Sequence, residues 1–167
     1  MLPKRFGKYG LTLHPEKSRL VPFQGLRPGA QPGTSRDEQP GTFDFLGFTH
    51  YWGRTRQGNW AVKRKTSKGR FHRSLKSIGQ WCREHRHLPI QEQRIVLTGK
   101  LRGHFAYYGI TGNIASLRRF RYHVTRVWHK WLSRRSHKGR IPWQRFGELE
   151  QRYPLPPARL GRVRLVT

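Results

Sequence analysis

Acidic residues are scarce in this 167-residue chain: 8 Asp and Glu stand against 35 Lys and Arg, a formal net charge of +27 at pH 7. Phosphoryl transfer by paired metal ions needs two or three clustered carboxylates. The acids here are Glu16, Asp37, Glu38, Asp44, Glu84, Glu92, Glu148 and Glu150. Asp37 and Glu38 fall in a Gly- and Pro-rich stretch, and Glu148 and Glu150 are set on different faces of one helix. No pair reads as a metal site, so no catalytic residue, no metal and no independent polymerase or nuclease activity is expected. Cysteine is nearly absent: Cys82 alone excludes an internal disulfide and suits a reducing compartment. Long apolar runs are missing too. Nothing approaches the roughly eighteen residues of a membrane span, and, with no hydrophobic segment among the first residues, no secretory signal is expected.

What is present is positive charge interleaved with rings. Aromatics make up 13% of the chain, too many for a disordered basic tail, while the hydrophobic fraction is a modest 34%. A chain this cationic repels itself, and the usual remedy is a polyanion. Basic side chains neutralise phosphates and aromatic faces accept unstacked bases, so nucleic acid is the expected partner. A membrane surface is not expected, because it requires a basic helix with an uninterrupted oily face.

The expected fold class is α+β: a small β-hairpin region, a three-helix bundle and a short C-terminal helix. A short helix begins near Pro3 and ends at Gly10. Residues 11–13 and 18–23 read as short strands around a turn at His14-Pro15-Glu16. Residues 24–42, crowded with Pro and Gly, read as a flexible loop. Residues 43–51 read as one strand covered on both faces, with Phe43, Phe45 and Gly47 opposite Asp44, Leu46 and Phe48. A hairpin loop at 53–58 leads to a return strand at 60–65, and 66–70 is a basic linker. Three helices follow at about 71–87, 90–109 and 114–136, the last capped by Asn113. Their apolar positions recur every three or four residues, from Phe71 through Leu101 to Trp131, and three such stripes can share one core. The opposite faces carry Arg102, Arg118, Arg119, Arg121, Arg126, Lys130, Arg134 and Arg135. A fourth helix spans about 142–152. The expected domains are 1–65 and 66–167.

Two further patterns have bland readings. Cys82-x2-His85-x-His87 imitates metal spacing but lacks a fourth ligand nearby, and Cys82 and His85 fall on an apolar stripe, so packing is expected. Gly99 and Gly103 lie four apart inside a helix, where each glycine costs about 1 kcal/mol. They allow close approach either of a neighbouring helix or of a nucleic-acid backbone.

Three strings occur in order: Gly10-Leu11-Thr12-Leu13-His14-Pro15-Glu16-Lys17-Ser18, then Phe43-Asp44-Phe45-Leu46-Gly47-Phe48, then Lys100-Leu101-Arg102-Gly103-His104-Phe105-Ala106-Tyr107-Tyr108-Gly109. Together they resemble the group II intron reverse transcriptase/maturase family over nearly the whole chain. The first resembles the end of the polymerase palm, the second the Phe-Leu-Gly-Phe string at the primer grip, and the third the signature of the maturase-specific thumb. Ser18 stands where the family usually has Thr, and His104 near a common Trp. The Tyr-x-Asp-Asp tetrad of family polymerases has no counterpart here, and neither does the zinc-bearing endonuclease module. The chain therefore resembles a C-terminal piece: palm remnant plus thumb.

The resemblance implies a partner, group II intron RNA or an RNA/DNA duplex, gripped to assist splicing or to hold primer and template. It implies no cofactor, Mg²⁺ belonging only to the complete family enzyme, and a location in bacterial cytoplasm or an organelle. It assigns Lys17 to the neighbourhood of phosphate, and Phe45 and Gly47 to the primer strand. Arg102, Tyr107 and Tyr108 become thumb contacts, with one of the two tyrosines exposed. Arg118, Arg119, Arg126, Lys130 and Arg134 become phosphate contacts. Two alternatives stay open. One is a part of a split enzyme, active only with a separate fingers and palm chain, for which Leu11, Leu13, Val21 and Phe23 would form an exposed apolar edge. The other is a generic basic RNA-binding protein.

Overall fold

In the computed structural model, residues 2–12, 14, 23, 41–136 and 139–161 are described. Lys17, residues 18–22 of the strand expected at 18–23, and loop residues 24–40 lie outside them. The described elements run α1 (Leu2–Gly7), β1 (Phe43–Phe45), β2 (Phe48–Arg54), β3 (Trp60–Thr66), α2 (Lys68–Glu84), α3 (Ile90–Tyr108), α4 (Ile114–Leu132) and α5 (Trp143–Arg152). The fold is α+β, with one antiparallel sheet in the order β1-β2-β3 followed by helices. By contacts the chain divides into two units: Met1–Phe43 with Tyr51–Val62, and Asp44–His50 with Lys63–Thr167.

In the first unit, Phe23 sets its ring 4.9 Å from Phe43 and 5.6 Å from Trp52. The expected strand at 11–13 does not form at its described positions: Leu11 and Thr12 are irregular and exposed. Leu11 instead closes a turn, its amide donating to the Phe6 carbonyl, and Gly10 supports that turn with a φ of +66°. The hairpin between β2 and β3 closes as read, with Gly58 at φ +84° and the Thr55 amide donating to Asn59.

The single strand expected over 43–51 is two strands. Leu46 and Gly47 have φ of +48° and +81°, the two successive positive values of a tight two-residue hairpin turn whose twist suits flanking strands. Gly47 adopts this conformation freely; Leu46 does not, which hides the turn from a pattern reading. The expected division of faces therefore ends at Phe45. Across the turn, Thr49 donates to the Asp44 carboxylate at 2.5 Å.

The second unit buries three helical stripes. Phe71, Ile78 and Cys82 of α2 meet Leu97, Leu101, Phe105 and Tyr108 of α3 and Leu117, Phe120, Val124, Trp128 and Leu132 of α4. Phe146 of α5 closes one end, its ring edge-on to Trp128 at 5.8 Å. Helix α2 starts at Lys68, so most of the expected linker 66–70 is helix. Ser67 provides the extended N-cap (φ −64°, ψ 145°), and its amide donates to the Gly47 carbonyl at 2.9 Å.

Two buried amides organise this unit. Gln93, 1% exposed, shares its NH₂ among the carbonyls of His85, Arg86 and Leu88 and accepts from the Trp128 indole N–H at 2.9 Å. Asn113 occupies the N-cap position of α4 but makes no side-chain cap. Its carboxamide instead accepts from the Thr66 amide (3.0 Å) and donates to Thr66 Oγ1 and the Tyr108 carbonyl (both 2.8 Å).

Two cations expected on open faces are structural. Arg121 pairs with Glu150 at 2.9 Å and donates to the carbonyls of Leu155 and Pro156, which pins the extended segment after α5. Arg135 donates to the carbonyls of Arg86 and Leu88, where the chain turns from α2 into α3. Chain ends of helices leave carbonyls without partners, and a guanidinium supplies several donors at once.

Candidate nucleic-acid interface

The Leu46-Gly47 turn docks on the C-terminal end of α3. The Tyr107 hydroxyl donates to the Leu46 carbonyl at 3.0 Å, and the Phe48 ring lies parallel to Tyr107 (6.0 Å between centroids) and edge-on to Tyr108 (5.2 Å). Tyr108 is 8% exposed and Tyr107 57%, so one tyrosine packs and the other faces outward. Gly47 leaves little room for a side chain: a Cβ there would stand 3.0 Å from the Tyr108 hydroxyl. Phe45 is left open at 58% exposure, while Phe48 packs against the core.

From this turn a groove of about 630 Å³ runs between α2 and α3. Arg70, Arg73 and Lys100 line it with Ser74, Ser77 and Gly103, and no carboxylate does. His104 lies on its floor, stacked flat on Phe120 at 3.7 Å. Burial pulls its pKa down to about 4, so the ring is neutral at pH 7 and serves as an aromatic surface. Burial pushes the Tyr108 phenol up, with the charge of Arg70 pulling the other way. The helix-packing explanation for Gly99 and Gly103 fails, because a Cβ at either meets nothing within 4 Å.

A second groove, about 780 Å³, lies between α2 and α4. Its centre is Trp131, half-buried, with Arg83 at 6.0 Å, Lys130 at 5.4 Å and Arg134 at 5.4 Å from the ring centroid. A cation near an indole face is attracted to the ring quadrupole and stays available to an anion. Glu84, the groove's carboxylate, is engaged by Gln80 at 3.0 Å. At the N-terminal end of α2 this groove adjoins a cleft holding Lys68, Arg119 and His123, which shares His72 and Leu75 with it.

The sequence-derived candidates are thus dispersed. Tyr107 and Tyr108 line the first groove and Gly47 abuts Tyr108; Lys130 lines the second, Arg134 flanks its Trp131, and Arg119 lines the adjoining cleft. Arg102 is on another side of α3, in a cleft with Arg94 and the Pro154–Pro157 segment. Arg126 bends onto its own helix, donating to the Tyr122 hydroxyl at 3.0 Å, and Arg118 is exposed. Sequence reading missed Arg70, Arg73, Arg83 and Lys100. In the sequence nothing separates them from the other basic residues on the outer faces of α2 and α3. Cys82 is packed rather than poised, its thiol pushed up to about 12 by burial, and His85 stacks on Trp81 at 4.9 Å.

Among the described residues no group of three His, Cys, Asp or Glu could hold a metal ion, and no helix is long and apolar enough to cross a membrane. Comparisons of the chain with family models, with curated proteins and with solved structures found no significant match.

Proposed function

We propose that this chain binds RNA in the manner of a group II intron maturase thumb, gripping intron RNA or an RNA/DNA duplex by its backbone, with no polymerisation chemistry of its own. One observation carries the reading. The Phe-Leu-Gly-Phe and Tyr-Tyr-Gly strings, on which the resemblance rests separately, meet through a hydrogen bond between residues 61 positions apart. They meet at the mouth of a groove with three cations and no lining carboxylate. Arg70 and Arg73 offer forked donors to phosphate, and Lys100 offers a point charge. Ser74 and Ser77 can bond phosphate or a ribose 2′-hydroxyl. The exposed faces of Leu46 and Tyr107 can take a sugar or an unstacked base, and Gly103 leaves the backbone room to approach. With these groups turned to phosphate and sugar, recognition of backbone and shape is expected.

Binding of a labelled group II intron RNA, with excess tRNA and across a salt series, tests this. The intron RNA is expected to stay bound, with log K falling linearly against log salt. Removing three phosphate contacts by Arg70→Gln/Arg73→Gln/Lys100→Gln should lower that slope by about 2 to 3. Equal affinity for both RNAs at every salt would leave only a generic basic binder. Incorporation by the chain alone in a primer-extension assay would overturn the non-enzymatic part. The split-enzyme alternative expects an exposed edge of Leu11, Leu13, Val21 and Phe23: Leu11 stands open at 57%, Phe23 is half-buried against Phe43 and Trp52, and Leu13 and Val21 lie outside the described residues. Recovery of primer extension on adding a separate fingers and palm chain would establish it.

A further inference from the structure

We infer that the helical unit holds two RNA strands at once, one in each groove flanking α2, and so brings separate RNA segments together. The inference rests on the RNA-binding reading and extends it from one site to two.

Helix α2 is the dividing wall. Arg70, Arg73, Ser74 and Ser77 face the α3 side, whereas His72, Lys76, Gly79 and Arg83 face the α4 side. At about 100° per residue the two sets centre roughly 140° apart around the helix axis. Between them, on the inner side, runs the buried stripe of Phe71, Ile78 and Cys82, so the grooves do not join through the core. The two share no lining residue.

Each groove is complete as a polyanion site. The first has Arg70, Arg73 and Lys100 with a neutral aromatic floor and an exposed tyrosine. The second has Lys76, Arg83 and Lys130 in its lining, with Arg134 beside the same tryptophan, Trp131, against one carboxylate, Glu84. Each volume, about 630 and 780 Å³, is in the range that seats a nucleotide-sized ligand. Two phosphate backbones across one helix, about 10–12 Å wide with its side chains, repel each other within roughly a Debye length. The cations on both sides of α2 offset that repulsion, which free strands in solution must overcome unaided. Where complementary strands reach past the grooves, their free ends are held near each other, and the protein should speed the pairing of those ends.

Trinucleotides, about 10 Å long at roughly 3.4 Å per nucleotide, are too short to pass over α2 and enter both grooves, so they separate two sites from one. Native mass spectrometry of the full chain with such oligomers is expected to give two RNAs per protein. Donor- and acceptor-labelled complementary strands should anneal faster with wild type than without it. The variant Arg70→Gln/Arg73→Gln/Lys100→Gln and the variant Arg83→Gln/Lys130→Gln/Arg134→Gln should each bind one oligomer and lose the annealing effect. Arg145→Gln/Arg152→Gln, which removes charge lining neither groove, should keep two oligomers and the annealing effect. Should either triple variant lose its helical circular dichroism, Arg73→Gln and Arg83→Gln, one exposed cation per groove, give the same comparison. One oligomer per wild-type chain, or two on both groove variants alike, would overturn the inference while leaving RNA binding intact. No RNA bound by any form would overturn the RNA reading itself.

Discussion

Alanine at position 47 would carry a methyl group to 3.0 Å from the Tyr108 hydroxyl and 3.4 Å from Arg70 Cγ. It would do so at a φ of +81°, where a residue with a Cβ pays about 1–2 kcal/mol. The tyrosine has little freedom to withdraw: it is 8% exposed, with the rings of Phe48 and Tyr107 at 5.2 and 4.7 Å. Overpacking of this kind costs about 1–3 kcal/mol. Together the two effects give a loss of about 2–5 kcal/mol. At the 2–4 °C per kcal/mol typical of chains near this length, the melting temperature should fall by about 4–20 °C. Thermal unfolding followed by near-ultraviolet circular dichroism, which reports on the packed tyrosines, measures it. Adding Tyr108→Phe to Gly47→Ala removes the struck oxygen and should recover the steric share but not the backbone share. A Gly47→Ala protein that melts with wild type would refute the docking of the turn on α3.

Because the His104 pKa falls to about 4 on folding, the unfolded chain takes up a proton near pH 6.5 that the folded chain refuses. Stability should be level above pH 6.5 and decline between pH 6.5 and about 4, and His104→Phe should flatten that part of a melting-temperature profile. Gln93→Leu strands the Trp128 indole N–H and removes one donor each from the carbonyls of His85, Arg86 and Leu88, which keep the Leu88 amide and Arg135 as donors. It should cost about 2–4 kcal/mol in denaturant unfolding, although leucine is the more hydrophobic residue. With its thiol held up at about 12, Cys82 should resist alkylation at pH 8 in the native protein and react promptly in denaturant, as mass spectrometry would show.

The helices were legible because each packs a stripe. Phe71, Ile78 and Cys82, or Phe120, Val124 and Trp128, repeat at helical spacing whatever surrounds them. The bland reading of Cys82 was legible for the same reason. The turn at Leu46-Gly47 was not, since leucine at positive φ goes against its local preference and is held there by contacts with α3, distant in sequence. Nor could Arg121 and Arg135 be told from Arg118. All are arginines on outer positions of one helical region, and only the chain segments that fold back decide which cap carbonyls. The grooves suffered similarly. A basic residue beside an apolar stripe is ordinary until a second helix brings Lys100 opposite Arg73 or Lys130 opposite Arg83.

The bonds around Asn113 close a circuit. Gly47 is tied to Ser67, Thr66 to Asn113, Asn113 to Tyr108, and Tyr107 back to Leu46, with covalent links completing the ring at each step. An open chain of bonds parts at its weakest link, but a ring stays a chain after the first break. Thermal fluctuation must therefore rupture two links together before the loop carrying Leu46 swings free, and that makes the mouth of the groove a rigid rim rather than a flap.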